Sequence, residues 1–543
     1  MSIYSPTTPA VPRDLPAGWR LLTTPDEHCD VAKVDRIAHT ALKSEVEAKE
    51  ESVSKNEFVL ASARGDKVEV MRLREKGTYS RKSVREALKE ACGAGHVDVV
   101  KWLINEAHAF PSMEALIPAC KGGHIDVVKC ILDWGVTLNW SSSSGGDRPL
   151  IAAARAGHHD LVKFLLEQGA DPNEQHGVTN RTALMCASEL GYVEVVRTLL
   201  DKGAFVSLGN TDDLGDTALI LAVRSGHEDV VRLLLDNESK RRGAHINHVN
   251  ESGQWALGIA ADKGYKGIVR LLLEKGADPN LKLPPDITTD GHTSLMYVAR
   301  TGNEEIIEQL CAAGADLDTL THTKYGESAF SIACDFGNIS VVQLFLDKGI
   351  LDLKKRRIDT LKKRPTDTRT SVMTLWRKEK EKVDQLGGRA LMNACRQGHV
   401  AIVKLLLDQG VKAGYVDEQM GETPLTCACV TRHTAVVELL LRHYRPDLDS
   451  EDPDYFDINF RTVCDDTPLM LASERGCVEM IALLKKAGAK TDLTNSGGHT
   501  ASQLFEIYTK RMLRGPTQRV SILKPPPDFV PKPKPKLHLQ FRK

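Results

Sequence analysis

The apolar positions of this chain fall into short helical runs that come in pairs. In TALMCASELGYVEVVRTLLDKGAFVSLGN, Thr182 to Asn210, the residues Ala183, Leu184 and Ala187 share one face of a first helix. Gly191 breaks the chain, and Val193, Val195, Val196, Leu199 and Leu200 then recur at the 3.6-residue period of a second, amphipathic helix. Gly203 follows the last turn, where a left-handed residue closes a helix with little strain. Such a pair cannot bury its apolar face alone, so it needs a neighbour of the same shape.

The neighbours are encoded. The interhelix landmark recurs at Gly65, Gly95, Gly123, Gly157, Gly191, Gly226, Gly264, Gly302, Gly337, Gly398, Arg432 (where Gly is replaced) and Gly476. Most steps are 34 to 38 residues, and a similar apolar run follows each landmark, as VDVVKWLI, HDLVKFLL and VAIVKLLL show. A hairpin of two helices and a turn at a period near 33 is a repeat signature. The fold class expected is all-α, a solenoid of about 12 repeats with a C-terminal cap.

Particular residues sharpen this. Thr182-Ala-Leu, Thr217-Ala-Leu, Thr423-Pro-Leu and Thr467-Pro-Leu open first helices, Gly-His pairs sit at the landmarks, and GADPN turns begin at Gly169 and Gly276. In these motifs the chain resembles the ankyrin-repeat family over roughly residues 55 to 508. One departure is systematic: where the family carries His after T-P-L, this chain holds Met185, Ile220, Met296, Thr426 and Met470. The resemblance implies recognition of other proteins through finger-like turns and the concave face of the first helices.

The landmarks divide the chain. Residues 1–54 form an N-terminal extension, Pro-rich at first, with a helix expected over 32–52 that either caps the first repeat or binds a partner. Repeats 1–9 span 55–352, the first three shorter than the rest, with stubby fingers. Residues 353–386 are a basic helical insert. Its KKRRIDTLKKRP run fits a solvated loop or a nuclear-import signal. Its stripe of Val372, Leu375, Trp376, Val383 and Leu386 fits a helix lying on the solenoid or a calmodulin-type target. Repeats 10–12 and a cap fill 387–508, interrupted by the acidic PDLDSEDPDYFD, which lacks the Gly and the final Glu of a calcium loop. The tail 509–543 holds ten Lys/Arg and one Asp from Lys510 onward. A basic, Pro-rich tail suits attachment to an acidic surface: an acidic protein face, nucleic acid or anionic lipid.

Composition changes the picture in two respects. A chain of 543 residues exceeds one ordinary core, a limit a solenoid removes. A net charge of −1 gives no global field, and no apolar run approaches a membrane span. The start lacks the basic and apolar regions of a secretory signal, so a cytoplasmic protein is expected, with the nucleus as the alternative. Of the twelve cysteines, Cys92, Cys120, Cys334, Cys395 and Cys429 each lie three residues before a landmark, the small-residue site of the first helix, and are expected to be buried hydrophobes.

No nucleotide loop, zinc-protease helix or nucleophile elbow is present. Many histidines occupy one position per repeat (His96, His124, His158, His227, His399), so they spread along the stack instead of converging. No enzyme activity, cofactor or metal is expected. The function expected is a protein-interaction scaffold or adaptor; the alternative is a structural component of a filament or large complex, held by its basic tail and inserts. Arg148, Arg181, Asp212, Asp213, Trp255, His292 and Tyr325 fall near the finger turns and, with Trp376, are the candidate partner-binding residues. Trp255 takes the place of the capping Thr, so its ring either packs between fingers or is an exposed anchor.

Overall fold

The computed structural model describes residues 56–77, 79–138, 147–176, 178–206, 215–238, 246–282, 291–321, 326–352, 369–417, 419, 421–445 and 455–513; of 237, 238 and 369–376 it describes the backbone alone. The extension 1–54, Asp212, Asp213, Tyr325, the basic run from Lys354, the acidic Asp447 to Asp454, the tail beyond 513 and the side chain of Trp376 lie outside the described residues.

Two compact units make up the chain, Met1–Leu138 and Asn139–Lys543. Both are built from helical hairpins, and among the described residues β structure is limited to isolated bridges. The first unit pairs 56–64 with Lys67–Lys76, Arg81–Ala94 with Val97–Asn105, and Met113–Gly122 with Ile125–Asp133. The second runs from Pro149–Ala156 and His159–Glu167 to Pro468–Glu474 and Val478–Lys486, and closes on the single helix Ala501–Leu513. First helices pack on first helices, as Pro149–Ala156, Ala183–Leu190 and Ala218–Ser225 do, and second helices form their own row. The fold is an all-α solenoid, as the periodicity predicts.

Several first helices are defined at both ends. Thr182, Thr217, Ser328, Thr423 and Thr467 accept a hydrogen bond from the backbone N–H three residues on. At the position where His was expected, Thr426 Oγ1 accepts from the Thr423 N–H at 2.7 Å and Met470 Sδ from the Thr467 N–H at 3.5 Å. A hydroxyl or a thioether thus closes the capping box.

The landmark closes the other end. Gly191 has φ 77°, and its backbone is left-handed like that of the other landmark residues. Space demands Gly as well: a Cβ on Gly191 would lie 2.6 Å from the His227 ring of the next repeat. That ring is fixed because its Nε2–H donates to the Glu189 carbonyl at 3.1 Å, one of the orphan carbonyls at the helix end. His96, His124, His399 and His433 do the same to Ala63, Gly93, Asp335 and Arg396 at 3.0 to 3.1 Å, and Asn338 Nδ2 donates to Ala299 at 2.8 Å. These histidines and Asn338 are therefore inter-repeat ties. Arg432 is the exception, left-handed at φ 68°. The residue after the following landmark is Cys477, with no ring to overlap the Arg432 Cβ.

The insert departs from a separate helix. Arg369–Gln397 is one helix of 29 residues, so the insert runs without a break into the first helix of its repeat. It is about 43 Å long, against about 12 Å for an eight-residue first helix. The sequence carries the sign of this, since Gly387-Gly388-Arg389-Ala390-Leu391 has no capping Thr. The helix packs on Ala329–Asp335 and on Pro424–Thr431, so the stack continues through the insertion. Val383 and Leu386 are buried, and Lys382 Nζ donates to Asp318 Oδ2 at 2.6 Å.

Cys92, Cys120, Cys334, Cys395 and Cys429 are buried. Burial pushes the Cys92 and Cys120 thiols up to about 12, and Cys334, Cys395 and Cys429 well above the ordinary range. The unfolded chain ionises these thiols above about pH 9, whereas the folded chain keeps them protonated. Their contribution is therefore complete below that pH and is lost as pH rises toward 12, by up to about 1.4 kcal/mol per unit for each thiol.

Gly191→Ala lowers the thermal midpoint through a left-handed strain of about 1–2 kcal/mol plus the ring overlap, and costs less when His227 is also Ala; Arg432→Gly raises stability by about 1 kcal/mol. Equal costs for Gly191→Ala with and without the His227 ring would remove the overlap from the account. Alkaline unfolding above pH 9 is less steep in Cys334→Ala, and in the native chain exposed Cys464 is alkylated well before Cys334, Cys395 and Cys429, as read by mass spectrometry.

Candidate docking surface

Small residues on the first helices let neighbours close in from both sides. In Ala183–Leu190 the first six residues are buried, and Glu189 and Leu190 alone reach solvent. The same six-and-two division holds in Pro149–Ala156, Ala218–Ser225 and Ala256–Lys263. The first-helix face expected to recognise partners is thus reduced to two rows, two residues and one residue before each landmark.

From Pro149–Ala156 through Arg369–Gln397 the inner of these rows is charged, with Arg155, Glu189, Arg224, Asp262, Arg300, Asp335 and Arg396, before Val430 interrupts it. Its sign changes at every step from one repeat to the next. Arg300 pairs with Asp262 one repeat back, and Gln397 Nε2 donates to Asp335 Oδ1 at 3.1 Å. The row also pairs with finger residues just before the first-helix caps. Arg155 meets Asp147 at 3.1 Å, Arg181 meets Glu189, and Arg224 meets Asp216 at 2.6 Å. Arg396 meets Glu422 of the next finger at 3.0 Å. Periodicity and landmarks did not reveal this row; reading the charges at a fixed offset from each glycine does.

The fingers are tied in register. Isolated bridges close them at Gln175 with Thr182, Val249 with Trp255 and Leu320 with Ser328. Asn173 Oδ1 accepts from the Phe205 N–H at 2.7 Å, and Asn280 Oδ1 from the Asp316 N–H at 2.7 Å, so the GADPN asparagines join one finger to the next. Apolar side chains nevertheless face water here, Val178 at 70% and Val463 at 84% exposure. On the second-helix side, a shallow groove of about 350 Å³ lies between Ile339–Asp347 and Val400–Asp408, lined by Ile339, Gln343, Ala401, Lys404 and Leu405 among others.

Of the candidate residues, four have described side chains. Arg148 forms an ion pair with Glu174 at 2.8 Å, both about 85% buried (15% and 14% exposed). Burial, opposed by Arg148, pushes the Glu174 carboxyl above its usual range. Arg181 is paired with Glu189, and half-buried His292 lies 5.6 Å from the Tyr297 ring. Trp255 is 1% exposed, which corrects the reading of an exposed anchor. Its Nε1–H donates to Ser294 Oγ at 3.3 Å, and its ring is tilted against Tyr297 at 6.0 Å. A Cβ on Gly258 would lie 2.7 Å from the indole, so Gly258 leaves the room that the ring fills. That glycine, three residues after Trp255, was the available signal of burial.

Among the described residues no group of three His, Cys, Asp or Glu is placed to hold a metal ion, and no helix is long and apolar enough to cross a membrane.

Comparison with known proteins agrees with the geometry. The model for ankyrin repeats in three copies matches residues 88–176, 116–210, 205–283, 282–357 and 368–452, and the single ankyrin-repeat model matches 464–496. The chain belongs to the ankyrin-repeat family. Ankyrin repeats are in general protein–protein interaction modules, and proteins built from them are typically non-enzymatic. Among solved structures, the human ASB11 ankyrin repeat domain is 28% identical over a match covering 40% of this chain and 90% of that chain, with a TM-score of 0.34. None of the curated proteins matches the chain.

A buried indole has a large energetic consequence. Trp255→Ala lowers stability by about 3–5 kcal/mol, whereas Trp255→Phe costs less because it keeps most of the buried area. Thermal unfolding checks this, and an unchanged midpoint for the Ala variant is incompatible with a buried ring.

Proposed function

We propose that this chain is a protein-binding scaffold or adaptor whose partners seat on the fingers and on the exposed ends of the first helices. The observation that supports it most is the six-and-two division of the first helices. Apart from their two end residues, these helices are committed to the stack, while the fingers beside them carry exposed Val178 and Val463. A rigid array of this kind meets a partner with little ordering cost. The basic residues from Lys510 onward would add a second, salt-sensitive attachment to an acidic surface.

Crosslinking in native cells tests the reading. Intermolecular crosslinks are expected through Lys263, at the exposed end of a first helix, and Lys490, at the start of a finger. Lys163 and Lys404, exposed on second helices, should be poor in them. Crosslinks confined to Lys163 and Lys404 would place partners on the opposite side and end the proposal.

A further inference from the structure

We propose that the row Arg155, Glu189, Arg224, Asp262, Arg300, Asp335, Arg396 is a docking track for a single α-helix of a partner protein whose charges change sign every seven residues. The inference rests on the binding role above and names the kind of partner that one part of that surface fits.

Spacing carries the first half. Packed helices stand 8–10 Å apart, so the row offers one charge roughly every 10 Å along the stack. A helix returns to the same face every seven residues, after about 10.5 Å. An extended strand does not match this step, since its same-face residues recur at about 6.7 Å or 13 Å. One helix laid along the row can therefore meet one charge per repeat over seven repeats, using about 43 residues.

Charge carries the second half. The row is neither basic nor acidic, so a uniformly charged ligand such as nucleic acid or a polyacidic segment is repelled at every second repeat. A ligand of alternating sign is attracted at all of them. The internal pairs leave room for it: Arg155, Glu189, Arg224, Asp262, Arg300 and Arg396 keep between 30% and 47% of their side-chain surface exposed. Arginine has five N–H donors, more than one carboxylate can occupy. Leu190 and Phe336, exposed in the adjoining row, give the flanks of such a helix apolar contacts. Together these match a helix with charges at every seventh position and apolar residues beside them.

Two synthetic helical peptides of equal composition test this with the full-length protein. One carries Glu, Lys, Glu, Lys, Glu, Lys, Glu at seven-residue steps, a pattern that reads the same in both directions. The other carries the same charges as a block of four Glu followed by three Lys. The alternating peptide should bind at least tenfold more tightly, and weaken as salt is raised. In Arg300→Glu its binding should fall at least tenfold, and a peptide with Lys in place of its fifth charge should recover it. If Arg300→Glu melts early, Arg300→Gln serves, with a smaller loss at constant fold. Equal binding of both peptides, tighter binding of an all-Glu peptide, or no binding of either overturns the track. Crosslinks through Lys263 and Lys490 would then still support the broader reading, so the two can fail separately.

Discussion

A side chain from one repeat resting on the left-handed glycine of the repeat before it is the contact on which the rest depends. The glycine is required twice over, by its backbone angle and by the ring above it. The ring is anchored in turn by a carbonyl that the first helix leaves unpaired at its end. One short-range arrangement thus ends a helix, satisfies an orphan acceptor and docks the next hairpin. Repeated along the stack, it replaces the single core that a chain of this length could not build.

That economy decides what is left for function. First helices spend six of eight positions on their neighbours, and the fingers are tied by asparagines and ion pairs. Residues with chemical potential are placed once per repeat and used locally. Buried thiols held protonated, histidines bound to carbonyls and a charged row of alternating sign all belong to the lattice of the fold. A surface remains that is long, regular and nearly neutral.

Much of this could be read from the sequence, for a physical reason. A left-handed turn leaves few residue types to choose from, so the landmarks stood out, and even Arg432 was found by its place in the period. Buried thiols were legible because the small-residue site recurs at a fixed offset. Trp255 was ambiguous because a large aromatic suits either a core or an anchor. Burial was decided by the space at Gly258, in a different part of the same helix. The stripe from Val372 to Leu386 read as a helix lying on the solenoid, but its continuation into the next repeat was not legible because hydrophobic spacing does not register a missing cap, and without one nothing stops Arg369–Gln397 from being continuous. Arg148 and Arg181 each neutralise a carboxylate of the fold, which charge on a finger does not disclose.

Neighbour-to-neighbour coupling through the landmark is the central claim, and hydrogen exchange of the full chain measures it directly. A Cβ placed at Gly398, left-handed and covered by the His433 ring, should weaken protection in Arg369–Gln397 and in the hairpins on either side. Amides of Pro149–Ala156 and Ala183–Leu190, several repeats away, should exchange as in the native chain. Loss of protection throughout residues 147–513 at once would contradict the account, because it would mean a single cooperative core instead of a row of docked neighbours.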